Sequence, residues 1–322
     1  MKKIISSLVM AILALVSVNA QQISVVSPVG ETTIYRTLPE AIEGAADGSV
    51  VYLPGGGFSI SDDVKITKKL TIIGIGHKSN NGNVDGITTI SGNLFFNEGS
   101  SGSAVMACYI TGYVIIGEGG ASVNDVLIRY CSLYSVQIKN NKCMETIVNQ
   151  NYVRNPSVFG GTNAQITYNI MMGFIQVDGG LIKNNIITRW GDPYVGDMNY
   201  IYNSYITKNI WRGVNIGAHG YSISNNNFFD NLGSDFGDNG IAFEEGITMN
   251  DIFVDWNDTP SSEYNYHFKN DYLKYSDYGV YANGEQFDNQ LAPVPYIIYK
   301  DIPERTDSEG KLKIQIRVKA NQ

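Results

Sequence analysis

The stretch LIKNNIITRW, Leu181 to Trp190, sets branched aliphatics around a pair of asparagines and ends on an arginine and a tryptophan. Asparagine is a poor strand former, yet here it sits inside a β-like run. With Asn185 as position zero, Ile182 lies at minus three and Ile187 at plus two. The same frame recurs with Asn93, Cys108, Cys131, Asn151, Asn169, Asn185, Asn209, Asn226 and Asn250 at zero. Minus three is then Ile90, Val105, Ile128, Val148, Ile166, Ile182, Ile206, Ile223 and Ile247. Plus two is Phe95, Ile110, Leu133, Val153, Met171, Ile187, Trp211, Phe228 and Ile252. Every minus-three residue is a branched aliphatic, and every plus-two residue is apolar.

The steps between zeros run from 15 to 24 residues. Helical repeats are longer and carry a 3.6-residue period that is missing here. The frame of leucine-rich repeats is also absent. A coil of about 20 residues with variable turns suits a parallel β-helix, in which each coil stacks on the one before. Strand side chains alternate, so positions five apart should face opposite sides. Both columns are apolar, so the chain is expected to bend between them. Asparagine at zero is expected to take the left-handed conformation at that bend and to bond its amide to those in the coils above and below. Asn184 points the other way in this reading.

These features resemble the secreted right-handed parallel β-helix proteins of the pectin-lyase-like type, and in particular their uncharacterised exported bacterial members. TLPEAIEGAADGSVVYLPGG, Thr37 to Gly56, followed by KKLTIIGIG, Lys68 to Gly76, is the clearest match. The expected fold is all-β, a solenoid of about nine or more coils with an N-terminal capping helix and a small β-rich C-terminal tail. Thr37 and Glu40 make a capping box, Pro39 lies in the first turn, and Ala41, Ile42 and Ala45 form an apolar face. The expected divisions are a cap and first coil over 21–60, the solenoid over 61–255, and a cap or tail over 256–322. YGVYANGEQF (Tyr278 to Phe287) and APVPYIIY (Ala292 to Tyr299) resemble closing segments of such exported proteins. Leu312, Ile314, Ile316 and Val318 alternate with polar residues as in a half-buried strand, expected to pair with Tyr296 to Tyr299.

The chain begins like an export signal over 1–20. Lys2 and Lys3 precede an apolar run from Leu8 to Val18 and a small-residue cleavage site, Val18-Asn19-Ala20. The run is too short for a comfortable membrane span, so a secreted, periplasmic or cell-surface protein with no transmembrane segment in its mature form is expected. Without Lys2 and Lys3, the 23 basic residues fall to 21 against 31 acidic, a net charge of −10. That balance argues against a nucleic-acid partner, while a local basic strip would still suit an anionic glycan. Cys108, Cys131 and Cys143 allow at most one internal disulfide, between Cys108 and Cys131 for example, or serve as small buried hydrophobes.

The resemblance covers pectate lyases, polygalacturonases, other glycan-cleaving enzymes, and adhesins without catalysis, so the fold alone does not give a reaction. The hydrolases carry paired aspartates, a Gly-His-Gly segment and a later Arg-Ile-Lys. GAHG (Gly217 to Gly220) is a partial echo, and Asp62-Asp63 is the one adjacent aspartate pair. A lyase of this kind uses carboxylates to hold Ca²⁺ and neutralise a uronate, and a basic side chain to remove the neighbouring proton. Arg154, Arg189 and Arg212 follow Asn151, Asn185 and Asn209 by three, four and three residues, and Trp190 and Trp211 flank them. Arg189 and Arg212 are thus the candidate bases. Arg154, Trp190, Asp192, Asp197, His219 and Asp230 are the candidate substrate contacts, and Asp235 and Asp238 the candidate Ca²⁺ ligands. The leading reading is an exported polysaccharide-binding or polysaccharide-processing protein with its glycan along one face. The alternatives are a surface adhesin or structural protein, and a calcium-dependent lyase; oligomeric state is open.

Overall fold

The computed structural model describes residues 22–78, 86–155, 158–172, 176–188, 201–211, 227–229, 231–233, 240–241, 247–257, 259–284, 287, 296–301, 311 and 314–319. The expected export signal lies outside them. The chain folds as a parallel β-solenoid of about six turns. One long sheet begins with the antiparallel strands Thr32–Tyr35 and Ile23–Val26 and continues in parallel from Ser49–Tyr52 to Asn227–Phe229. A second sheet climbs beside it from Gly56–Ser59 to Gly240–Ile241.

The repeat frame keeps register through six coils, those of Cys108, Cys131, Asn151, Asn169, Asn185 and Asn209. Their minus-three residues pair in line on the first sheet, Val105 with Ile128 and onward to Ile206. Their plus-two residues pair in line on the second, Ile110 with Leu133 and onward to Trp211. All twelve are at most 1 % exposed. Both columns therefore face the core.

Three of the nine expected frames are out of register. Ile90 pairs with Ile110 and so occupies the plus-two column of its coil, which displaces Asn93 from the zero position. Phe228 pairs with Ile206 in the minus-three column, which makes Asn231 rather than Asn226 the residue at zero. Asn250 lies in a short helix, Met249–Ile252. The physical reason is the frame itself. Its two apolar columns are five residues apart, so a coil slipped by five still satisfies one of them.

The bend also lies one residue earlier than expected. The left-handed residues are those at minus one: Ala107, Tyr130, Gln150, Tyr168, Asn184 and Lys208, with φ from 55° to 57°. Position zero is not left-handed, and its side chain is fully buried in all six coils. A second left-handed corner falls at minus six, at Asp125, Glu145, Asn163, Gly179 and Asn203. Between the corners the first sheet needs only three residues per coil, which explains its short strands.

At the N-terminal end, the helix Leu38–Gly44 is capped by Thr37, whose side chain accepts from the Glu40 amide while Glu40 accepts from the Thr37 amide. Leu38, Ala41, Ile42 and Ala45 are buried in the solenoid core. Near the other end, the segment from Ile247 to Phe287 does not stack as a coil. It runs as short helical turns, Met249–Ile252, Asn270–Tyr275 and Gly279–Gly284. Its Phe253, Tyr266, Phe268, Tyr278, Val280 and Phe287 pack on Tyr152, Ile170, Ile186, Ile210 and Leu232. Those five lie at plus one, on the outer side of the second sheet, so this segment is a strap along the flank of the solenoid. Gly279 lies so close that a Cβ there would come within 2.8 Å of Ile210, and its φ of +70° disfavours other residues as well.

Candidate functional site

The zero positions build a column of buried amides. The Asn151 amide nitrogens, main chain and side chain, both donate to Asn169 Oδ1 at 3.0 Å. Asn169 repeats the pattern on Asn185 at 2.8 and 3.0 Å, and Asn185 on Asn209 at 2.9 Å for both. Each Nδ2 also donates to the minus-three carbonyl one coil back, Asn185 to Ile166 at 2.7 Å and Asn209 to Ile182 at 2.8 Å. With 0 % exposure these asparagines reach no solute. Asn184, expected to face outward, is also fully buried; its Nδ2 donates to the Asp277 carbonyl of the strap at 3.4 Å. The asparagine pair of the opening stretch is structural.

Cys131 and Cys108 fill the same column above the asparagines. The Cys131 amide donates to Asn151 Oδ1 at 2.9 Å, and its thiol lies against the carbonyls of Arg129 (3.3 Å) and Val105 (3.7 Å). All three cysteines are free and buried. Burial pushes the Cys131 thiol up to about 12. Burial and then the nearby Cys131 raise Cys108 well above its ordinary value, and burial also raises Cys143. In the folded protein the thiols are expected to ignore a water-soluble disulfide reagent at about pH 8, and to react together on unfolding. Rapid labelling of the native chain would refute their burial. Their folded pKa values exceed that of a free thiol, about 8.5. The unfolded chain therefore ionises first: melting temperature should hold below about pH 8.5 and fall as pH climbs from there toward about 12.

Of the candidate site residues, only Arg154 lies among those described. Arg189, Trp190, Asp192, Asp197, Arg212, His219, Asp230, Asp235 and Asp238 lie outside the described residues. The row between the Asn151 and Asn185 coils is occupied at plus three by Met172, and the Asn185 row by Thr188, both buried. The described contacts of Arg154 are with rows on its N-terminal side.

There it joins a cluster that the sequence did not single out. Arg154 Nη1 donates to the Tyr109 hydroxyl at 2.6 Å, Nη2 donates to the Ile110 carbonyl at 2.9 Å, and the guanidinium carbon lies 4.5 Å from the Tyr109 ring centre. Its Nε is buried without a partner, and no carboxylate pairs with it among the described residues. Tyr134, one row away in the same plus-three position, meets Tyr113 edge to face with ring centres 5.1 Å apart at 82°. Partial burial, then the neighbouring Tyr134, raises the Tyr113 phenol above its ordinary value. The rings are only partly covered. Three tyrosines and one cation, without a carboxylate partner among the described residues, thus gather on the rows of Cys108, Cys131 and Asn151. The signal available in the sequence was Tyr109 at plus one and Tyr134 at plus three, aromatics on positions that strand alternation sets opposite to an inward plus two.

A separate apolar cleft of about 390 Å³ lies at the N-terminal end, lined by Gln22, Ser24, Tyr52, Leu53, Pro54, Ile73, Gly74 and Ile75. It contains none of the candidate residues. Among the described residues no group of three or more His, Cys, Asp or Glu side chains is arranged to hold a metal ion, and no helix is long and apolar enough to cross a membrane. No protein-family model matches this chain, and no curated protein or solved structure gives a match.

Proposed function

We propose that this protein is an exported, pectin-lyase-like β-helix protein that binds a polysaccharide along one face of the solenoid. The observation that carries the reading is the Tyr109–Tyr113–Tyr134–Arg154 cluster. Partly exposed aromatic rings offer flat apolar surfaces to sugar rings. A guanidinium held by hydrogen bonds and by a ring beneath it is preorganised to meet a carboxylate or hydroxyl. Rows about 4.8 Å apart give such contacts a regular spacing along an extended chain. The basic start, apolar run and small-residue site of residues 1–20 support export.

Binding to a panel of uronic-acid and neutral polysaccharides tests this, with the same mixtures read at the absorbance of unsaturated sugar ends. Arg154→Ala and Tyr134→Ala are each expected to weaken binding about tenfold, the scale of one charge-assisted hydrogen bond or one ring contact. Unchanged affinity in the double variant would move the site elsewhere. Failure to bind any member of the panel would end the reading.

A further inference from the structure

The first sheet ends on an open edge. Its strand Thr32–Tyr35 pairs with Ile23–Val26 on one side and with no described strand on the other. The Ser27 N–H donates to the Glu31 carbonyl at 2.8 Å, which fixes the phase of the pair. Alternation along an antiparallel pair then turns the N–H and C=O of Thr33 and Tyr35 toward Ile23–Val26. Those of Thr32 and Ile34 face the other way, out of the sheet. The helix Leu38–Gly44 buries its apolar side chains in the core beside this strand. Thr32, Thr33 and Ile34 nevertheless stay exposed, Ile34 at 50 %.

Another strand offers donors and acceptors at the spacing of such an edge. Thr-Thr-Ile-Tyr is wholly β-branched or aromatic, and it carries none of the lysines, prolines or bulges that blunt an edge. Charge then says whose strand it is. Glu31 precedes the strand and Arg36 follows it; both are exposed, and neither is in an ion pair among the described residues. An antiparallel copy of the same segment brings each Glu31 to the end where the other copy carries Arg36. A parallel copy would set like charges together. We propose that two copies of this chain join edge to edge at Thr32–Tyr35, about a two-fold axis at Thr33. In that register Thr32 of each copy faces Ile34 of the other, so every outward N–H and C=O of both residues finds a partner. Glu31 faces Tyr35 of the second copy, next to its Arg36. A contact of this kind uses the same surface on both copies and closes on itself. The two first sheets become one, with the solenoids running outward from the joint. This joint is independent of the tyrosine–arginine cluster.

The test is sedimentation of the chain starting at Gln21, the expected exported form, over a range of protein concentrations. A species of twice the chain mass is expected, and nothing larger. Ile34→Pro removes an outward N–H while leaving the bonds to Ile23–Val26, and should weaken the dimer about thirtyfold. Glu31→Arg should weaken it about tenfold, and adding Arg36→Glu to that variant should restore the wild-type constant. Glu31 is exposed, so the charge reversal and its rescue decide the matter if Ile34→Pro fails to fold. A monomer at every concentration overturns the proposal, as does a dimer indifferent to both single substitutions. A double variant no better than Glu31→Arg alone also overturns it. So does a series of ever larger species, since the edge would then meet the far end of another copy's sheet.

Discussion

Asn185→Ala is expected to lower folding stability by about 3 kcal/mol, taking one to three for each buried group left without a partner. The asparagine links three coils. Its Oδ1 accepts from the Asn169 main-chain amide at 2.8 Å and from Asn169 Nδ2 at 3.0 Å. Its Nδ2 donates to the Ile166 and Lys183 carbonyls at 2.7 and 3.1 Å, and to Asn209 Oδ1 at 2.9 Å. Several of these partners keep another contact: Asn169 Nδ2 still reaches Val148 and Thr167, and Asn209 Oδ1 still accepts from the Asn185 main chain. The Asn169 N–H has Asn185 Oδ1 as its acceptor, so it bears the main loss. Urea denaturation measures the change, and a shift below about 0.5 kcal/mol would remove the ladder from the account of stability.

Phe253→Ala should cost about 4 kcal/mol, in the range for truncating a buried aromatic, and should act on the strap before the solenoid. Phe253 is 1 % exposed and stacks on Trp256 and Phe268 with ring centres 5.2 Å apart in both cases; Tyr266 meets it edge to face at 6.3 Å. Its loss opens a hole where the strap meets the second sheet. Limited proteolysis should then cut between Ile247 and Phe287 at concentrations that spare the wild type, while the far-ultraviolet β signal persists. Loss of both together would mean that strap and solenoid fold as one cooperative unit. An unchanged digestion pattern would mean that this aromatic cluster does not hold the strap.

The solenoid was legible because two apolar columns repeat in a simple frame, and because branched aliphatics stack in register when buried on both sides. The coil count was less legible: the five-residue offset between columns admitted Asn93 and Asn226 as spurious centres. The bend could not be placed from residue type, because Ala107, Tyr130, Gln150, Tyr168, Asn184 and Lys208 share a left-handed backbone but no chemistry. The strap was hidden by its lack of period. Its counterpart was nevertheless present in the sequence, since Tyr152, Ile170, Ile186 and Ile210 recur at plus one, where alternation points them out of the core. Four outward apolar residues in successive coils need a cover. As for the site, spacing alone singled out Arg154 without its neighbour, and pairing sets it beside Tyr134, whose row precedes it; Arg189 and Arg212 lie outside the described residues.

The amide column has a sense of direction. In each rung the earlier asparagine donates and the later one accepts, so the side-chain dipoles align head to tail along the axis, an arrangement in which each bond polarises the next. Between side chains, every rung presents its Oδ1 to the asparagine before it and its Nδ2 to the asparagine after it. A coil can therefore be duplicated or deleted inside the run without reversing any bond, and only the ends need special chemistry. At one end Cys131 takes the zero position, giving its main-chain N–H to Asn151 and setting a thiol where the asparagines set an amide. The solenoid is thereby a polymer with a defined polarity, whose length can change while its ends stay the same.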